Sequence, residues 1–185
     1  MNVELLEIKG SYEQVANRCR TTVSKGELGK DPSDKFKRKI LMAEHSPIRS
    51  LVYCFKITNL KSWVATHFVR HHIGVEKWVS TQRTDRTGIN RDELPQGTEV
   101  MMELEANAQA LINMSRKRLC NQASPETIQV MHAMKKEVAK QDKYMANMMV
   151  RECVYRGFCP EMSCCGYVNT EAFKKELENY RGNIL

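Results

Sequence analysis

The sequence predicts an α+β fold: a single domain over residues 1–185 with a small antiparallel sheet and long helices. Three observations lead there. Short β-branched runs alternate with longer stretches whose apolar residues recur at helical spacing. Serines stand where helix starts are expected. No repeat, low-complexity tract or linker divides the chain, although a Cys-rich tail follows from about residue 151.

Val3–Ile8 is short and rich in apolar residues, so it reads as a strand. Ser11 opens a helix, with Gln14 three residues on completing a capping-box pattern and Val15, Cys19 and Val23 forming its apolar face. Clustered Gly, Asp and Pro make 25–32 a loop. A second helix spans Ser33–Glu44, burying Phe36, Ile40 and Leu41 or Ala43, and His45-Ser46-Pro47 breaks it. Leu51–Ile57, β-branched and aromatic, is the clearest strand. Asn59 is expected to cap a helix carrying Trp63, Val64, His67, Phe68 and His71. From Gly74 to Asn90 the pattern weakens to a loop or a short extended piece. Pro95–Leu119 reads as one long helix with Val100, Leu104, Ala108, Leu111 and Ile112 inward. Ser124-Pro125 opens another that runs to about Val150 and packs Met131, Met134, Val138, Met145 and Met148 into the core, since Met fills irregular gaps. A last short helix covers Glu171–Tyr180.

The composition, 42% hydrophobic and 28% charged, is that of a globular chain and argues against disorder. No apolar run approaches the roughly 18 residues of a membrane span, and the N-terminus lacks the layout of a signal peptide. A cytoplasmic setting is therefore expected, with the seven cysteines as reduced thiols or ligands and not a disulfide framework. A net charge of +7 points to an anionic partner without choosing between nucleic acid, nucleotide and a phosphate-bearing cofactor.

Arg70-His71-His72 places three consecutive side chains that can be cationic at the end of an apolar helix. They suit the helix dipole as it stands, or a phosphate or flavin contact. Arg83, Arg86, Arg91, Arg116, Lys117 and Arg118 read as a solvated basic face, and with aromatics at only 7% a single-strand nucleic-acid surface is disfavoured. Cys153, Cys159, Cys164 and Cys165 include no C-x-x-C pair, so no metal is assigned.

Two blocks carry a resemblance. His45-Ser46-Pro47-Ile48, the strand Tyr53–Ile57 and Phe68-Val69-Arg70-His71-His72 resemble the His-x-Ser/Thr-Pro turn, strand and Arg-His-Arg helix end of the flavin-dependent thymidylate synthase family. Arg91-Asp92-Glu93-Leu94-Pro95 resembles that family's Arg-x-x-Leu-Pro. Asn107–Asn113 then resembles its Asn-Ala-Arg-Ser-Leu-x-Asn, with Arg118 where the family has an arginine. The likeness covers roughly residues 1–150.

The resemblance implies reductive methylation of dUMP to dTMP, with FAD as cofactor and NADPH and methylenetetrahydrofolate as cosubstrates. It implies a homotetramer with active sites shared between subunits, and no membrane or nucleic-acid partner. By the same carry-over, Ser46, Arg70, His71, His72, Asn107, Gln109 and Asn113 would line the FAD site. His67, Arg70, Ser80, Arg83, Arg91 and Arg118 would hold dUMP, with Arg118 against the uracil edge as the catalytic group. The sequence departs from the family at His72 for an arginine, at Gln109 for an arginine, and in the stretch Val75–Arg83. Ungapped, that stretch matches Ser80 to a family serine and sets Trp78 and Gln82 in place of a glutamate and an arginine. A shifted register would give those roles to Glu76 and Arg83. The short Thr84–Asn90 segment fits a divergent, phage-type member, which would work in its host's cytoplasm. Two alternatives stay open: C5 modification of another pyrimidine nucleotide such as dCMP, and a non-catalytic basic protein that binds nucleotide or nucleic acid.

Overall fold

A computed structural model describes residues 1–182. Four strands form one antiparallel sheet: β1 (Asn2–Lys9), β2 (Val52–Lys61), β3 (Val75–Val79) and β4 (Glu99–Asn107), in the order β1-β2-β4-β3. Alternation sends Tyr53, Phe55 and Ile57 of β2 to one face together with Val100, Met102, Leu104 and Ala106 of β4. That face meets the helices and forms a continuous core; burying an aromatic such as Phe55 contributes about 1.5–3 kcal/mol. The other face is polar and open, with Glu4, Lys56, Glu103 and Trp78 in one cross-strand row.

Ser11 and Ser33 cap the first two helices as expected. Their hydroxyls accept from the backbone N–H of Gln14 and Phe36, opening α1 (Tyr12–Thr21) and α2 (Asp34–Met42). Val23 lies beyond the end of α1 and is exposed, so the apolar face of that helix ends sooner than its spacing suggested. The expected Asn59 cap is corrected. Asn59 belongs to β2, takes the left-handed conformation (φ 55°) and sits where the β2–β4 register slips between Ile57 and Leu60. The helix itself, α3 (Ser62–Val69), starts three residues later. The weakly patterned stretch after Gly74 holds the edge strand β3 and a single turn, α4 (Thr84–Thr87).

The long helix expected over Pro95–Leu119 is two elements, β4 and then α5 (Ala108–Arg118). Val100, Leu104 and Ala108 are four apart, a spacing that a strand and a helix satisfy equally. Met102 and Ala106, buried between them, and Met101 and Glu103, exposed, decide for the strand. The next expected helix also divides, into α6 (Pro125–Gln141) and α7 (Lys143–Met148). Asp142 makes the break, since its carboxylate accepts the Met145 N–H and the hydroxyls of Tyr12 and Tyr53. All five core methionine and valine positions expected there are nonetheless buried. Two more helices, α8 (Glu152–Arg156) and α9 (Glu171–Gly182), complete the described residues, none of whose helices is long and apolar enough to cross a membrane.

Candidate functional site

Two hollows flank the last turn of α3. Val69 opens on the first and Arg70, the next residue, on the second. The first has a volume of about 490 Å³, within the range of small-ligand pockets. Trp63, Thr66 and Val69 of α3 form one wall; Val79 of β3 and the following Ser80–Arg83 form another; Arg91 and Gln96 close the end. No carboxylate lines it among the described residues. Arg83 is already forked onto Asp85, at 3.0 and 2.8 Å. Arg91 is different: its side chain is exposed and makes no ion pair or hydrogen bond with the described residues. Ser80 closes the sheet edge, exchanging hydrogen bonds with the Met101 backbone, and its Oγ accepts one of them at 2.9 Å.

Gln82, not assigned a role from sequence, is the informative residue here. Its Nε2 is buried against the hollow with no hydrogen-bond partner among the described residues. Amide donors are rarely left so, because an unmade bond at a buried group costs about 1–3 kcal/mol. Glu76, by contrast, alternates to the face of β3 opposite Val79 and stands beside Glu105 on the open side of the sheet.

The second hollow, about 200 Å³, is lined by Arg70, His71, His72, Val75, Ala110 and Asn113. Arg70 is exposed, and its side chain makes no ion pair or hydrogen bond with the described residues. His72 Nδ1 approaches the Arg70 carbonyl at 3.1 Å. His71 is half-buried, and Arg118 Nε donates to its Nε2 at 2.9 Å while Arg118 Nη2 donates to the His67 carbonyl at 2.7 Å. Burial, then the charge of Arg118, lowers the His71 pKa to about 4, so the ring is neutral and able to accept. Burial also pulls the Arg118 guanidinium below its usual value, with the Arg70 charge adding to it. His67 lines neither hollow; its Nδ1 lies 2.7 Å from Thr127 Oγ1, and its pKa is lowered by burial first and by Arg118 second.

Three of the residues expected at a flavin line neither hollow. Ser46 is exposed at the start of a short turn and lines neither hollow. Asn107 caps α5, accepting the Ala110 N–H at 2.9 Å. Gln109 bonds Glu44 and Asn113. Behind that pair lies Arg116, which is buried, ion-paired with Glu44 and stacked 3.5 Å from the centre of the Tyr155 ring. Arg116 is therefore not part of a solvated basic face. Its neighbours on α5, Leu111, Ile112 and Ser115, share the buried side, and that was the available signal.

Residues 88–142 match the family of thymidylate synthase complementing protein. The fold is that of a flavin-dependent thymidylate synthase. A synthase of that kind from Helicobacter pylori, solved with FAD and dUMP, aligns with a TM-score of 0.68 and 15% identity, over 82% of this chain and 100% of that one. A UMP/dUMP methylase, PolB, from Streptomyces cacaoi, solved with 5-Br dUMP, aligns with a TM-score of 0.64 and 14% identity, over 85% of this chain and 95% of that one. No curated protein sequence matches the chain.

Proposed function

We propose that the chain is a flavin-dependent thymidylate synthase that methylates dUMP reductively, using FAD, NADPH and methylenetetrahydrofolate. The observation that carries the reading is the first hollow. It is the size of a nucleotide, free of carboxylates, and supplied with an unpaired Arg91 and an unpaired Gln82 amide. Arg91 would hold the phosphate, since a guanidinium forks onto phosphate oxygens, and Ser80 and Arg83 would stand beside it. Trp63 and Val69 offer the apolar wall on which a pyrimidine packs.

The second hollow fits part of a flavin. Arg70 is an unpaired cation suited to a diphosphate, and neutral His71 presents a flat ring beside Asn113. At about 200 Å³ it cannot enclose a whole dinucleotide, which supports a homotetramer whose neighbouring subunit completes the site. When bound there, FAD would supply the hydride; the protein supplies binding and field. Arg118 lines neither hollow; it keeps Nη1 without a partner among the described residues and would have to reach the uracil edge, on which negative charge develops, from beside His67 and His71. His71 and the His67 carbonyl hold the other two guanidinium nitrogens and so fix its direction.

Gln82 also favours a second reading, in which the substrate is another pyrimidine nucleotide. A carboxamide can donate or accept at a base edge, whereas the arginine it replaces only donates. The test of the main reading is spectroscopic and chemical. Purified protein should bind FAD, turn yellow and shift its absorbance on titration with dUMP. With folate and NADPH it should release tritium from 5-tritiated dUMP. A protein that stays colourless on reconstitution overturns the flavin reading, and exclusive binding of dCMP overturns the choice of base.

A further inference from the structure

Five of the seven cysteines, Cys120, Cys153, Cys159, Cys164 and Cys165, line one recess just past the C-terminal end of α5 that shares no lining residue with either hollow. The proposed synthase chemistry uses none of them. They differ in access. Cys153 is buried, whereas Cys164 and Cys165 are exposed and Cys159 is half-buried at the recess edge. The last three sit on a loop that leaves α8 at Gly157 and ends at Gly166, both glycines in the left-handed conformation (φ 83° and 81°). Two such hinges let the loop fold back on itself, so that Cys159 and Cys164 line the same recess. The Gly166 N–H donates to Cys164 Sγ at 3.4 Å and orients that sulfur. Among the described residues no group of three or more side chains is arranged to hold a metal.

We infer that Cys159 and Cys164 form a reversible redox-modification site, closed into a disulfide by a small-molecule disulfide of the glutathione class. Cys164, the exposed member, attacks as its thiolate on one sulfur of the external disulfide. A mixed disulfide forms, one small thiolate leaves, and the Cys164 proton goes to solvent. Cys159, which lines the same recess, then attacks Cys164 Sγ and releases the second small thiol. Both cysteine sulfurs are oxidised and the external disulfide is reduced to two thiols, so electrons and protons balance. The Cys159 thiol feels the Glu161 backbone N–H, which lowers its pKa, but burial and the neighbouring Cys164 and Cys165 outweigh it and push the pKa up. It therefore suits the resolving step better than the first attack.

The consequence is mechanical. Ser163, inside the six-residue span, accepts from the Gln122 side chain at 2.8 Å, and Glu161 faces Lys117 of α5 at 3.9 Å. Closing the ring fastens the loop against the end of the helix that carries Arg118. The site stands whether or not the synthase reading is right, and its test reads sulfur chemistry alone. The whole protein is equilibrated with oxidised and reduced glutathione in graded ratio, then assayed for free thiols and mapped by peptide mass. The free-thiol count should fall from seven to five, by the loss of Cys159 and Cys164 in one internally linked peptide, and a dithiol reductant should restore it. Oxidation should also slow proteolysis of the loop several-fold. Cys164→Ser should keep its remaining thiols, Cys159→Ser should trap the glutathione adduct on Cys164, and Cys165→Ser should close the ring as before. All three altered side chains are at the surface or its edge, so folding is checked simply by an unchanged circular dichroism spectrum. Oxidation at Cys165 or Cys120 in place of this pair, links between chains, or seven thiols surviving the oxidising end of the series would each overturn the assignment.

Discussion

Arg116 and Arg118 lie two residues apart at the C-terminal end of α5, and little more than half a helical turn separates two different treatments of the same side chain. Arg116 turns inward to Glu44, Asn113 and the Tyr155 ring, where its charge is neutralised and enclosed. Arg118 turns towards α3 and meets only dipoles, the His71 ring and the His67 carbonyl, with Arg70 as a second cation nearby. A paired charge inside the fold is spent on the fold. An unpaired one, held by neutral acceptors that fix its direction, is left with charge to offer a ligand. The same contrast separates Arg83, forked onto Asp85, from Arg91 in the same hollow.

The contrast can be broken most sharply at Arg118. Arg118→Ala should lower turnover by about 100- to 1,000-fold, the range for losing one preorganised donor to a developing anion. Unfolding free energy should move by no more than about 0.5 kcal/mol, because no carboxylate is orphaned. Arg116→Met should do the reverse. It strands Glu44 half-buried and should cost about 2–4 kcal/mol in urea denaturation, and adding Glu44→Gln should restore part of the loss. A stable Arg116→Met protein would show that the buried pair does not brace α5. Arg91→Ala should weaken nucleotide binding roughly 10- to 100-fold by calorimetry, as for a lost charge-assisted hydrogen bond, while Arg83→Ala changes stability by at most about 1 kcal/mol.

The smallest effect concerns pH. In the unfolded chain the His71 imidazole takes a proton near pH 6.5, but in the folded protein only near 4. Between those values the unfolded state binds more protons, so stability rises with pH across the window. His71 thus adds stability that is complete above about pH 6.5 and is lost as pH falls towards about 4. Denaturation at pH 7 and pH 5 should show a smaller difference for His71→Gln than for the parent protein. An equal difference would mean that the ring titrates normally and does not serve Arg118 as an acceptor.

Much of the fold was legible from local chemistry. Ser11, Ser33 and Ser124 each cap the helix they precede, because a hydroxyl accepting an amide three residues on is a short-range event. The errors arose where a distant partner decided the outcome. Asp142 ends α6 because Tyr12 of α1 and Tyr53 of β2, both far from it in sequence, converge on it. The strand β4 was hidden by a four-residue spacing that two periods share, and only pairing with β2 and β3 separates them. At the site, residue types were legible but availability was not. Sequence placed Asn107, Gln109 and Asn113 at a flavin by resemblance, and the fold gives Asn107 to a cap and Gln109 to Glu44. Gln82 looked like a mere replacement until its buried nitrogen proved to be without a partner.

Asn107 ends β4 and caps α5 at once, so no loop separates strand from helix. Its backbone N–H is held by the Gly74 carbonyl at 2.9 Å, and its amide lies so close to Gly74 that an added Cβ would sit 2.3 Å from Nδ2. A joint without slack transmits force. Tugging on the turn between α3 and β3, where Arg70 and His71 sit, pulls directly on the helix that carries Arg118. The amides of β4 and the first turn of α5 should therefore exchange with deuterium together, as one cooperative unit, and the two halves of the corner cannot drift apart while the protein stays folded.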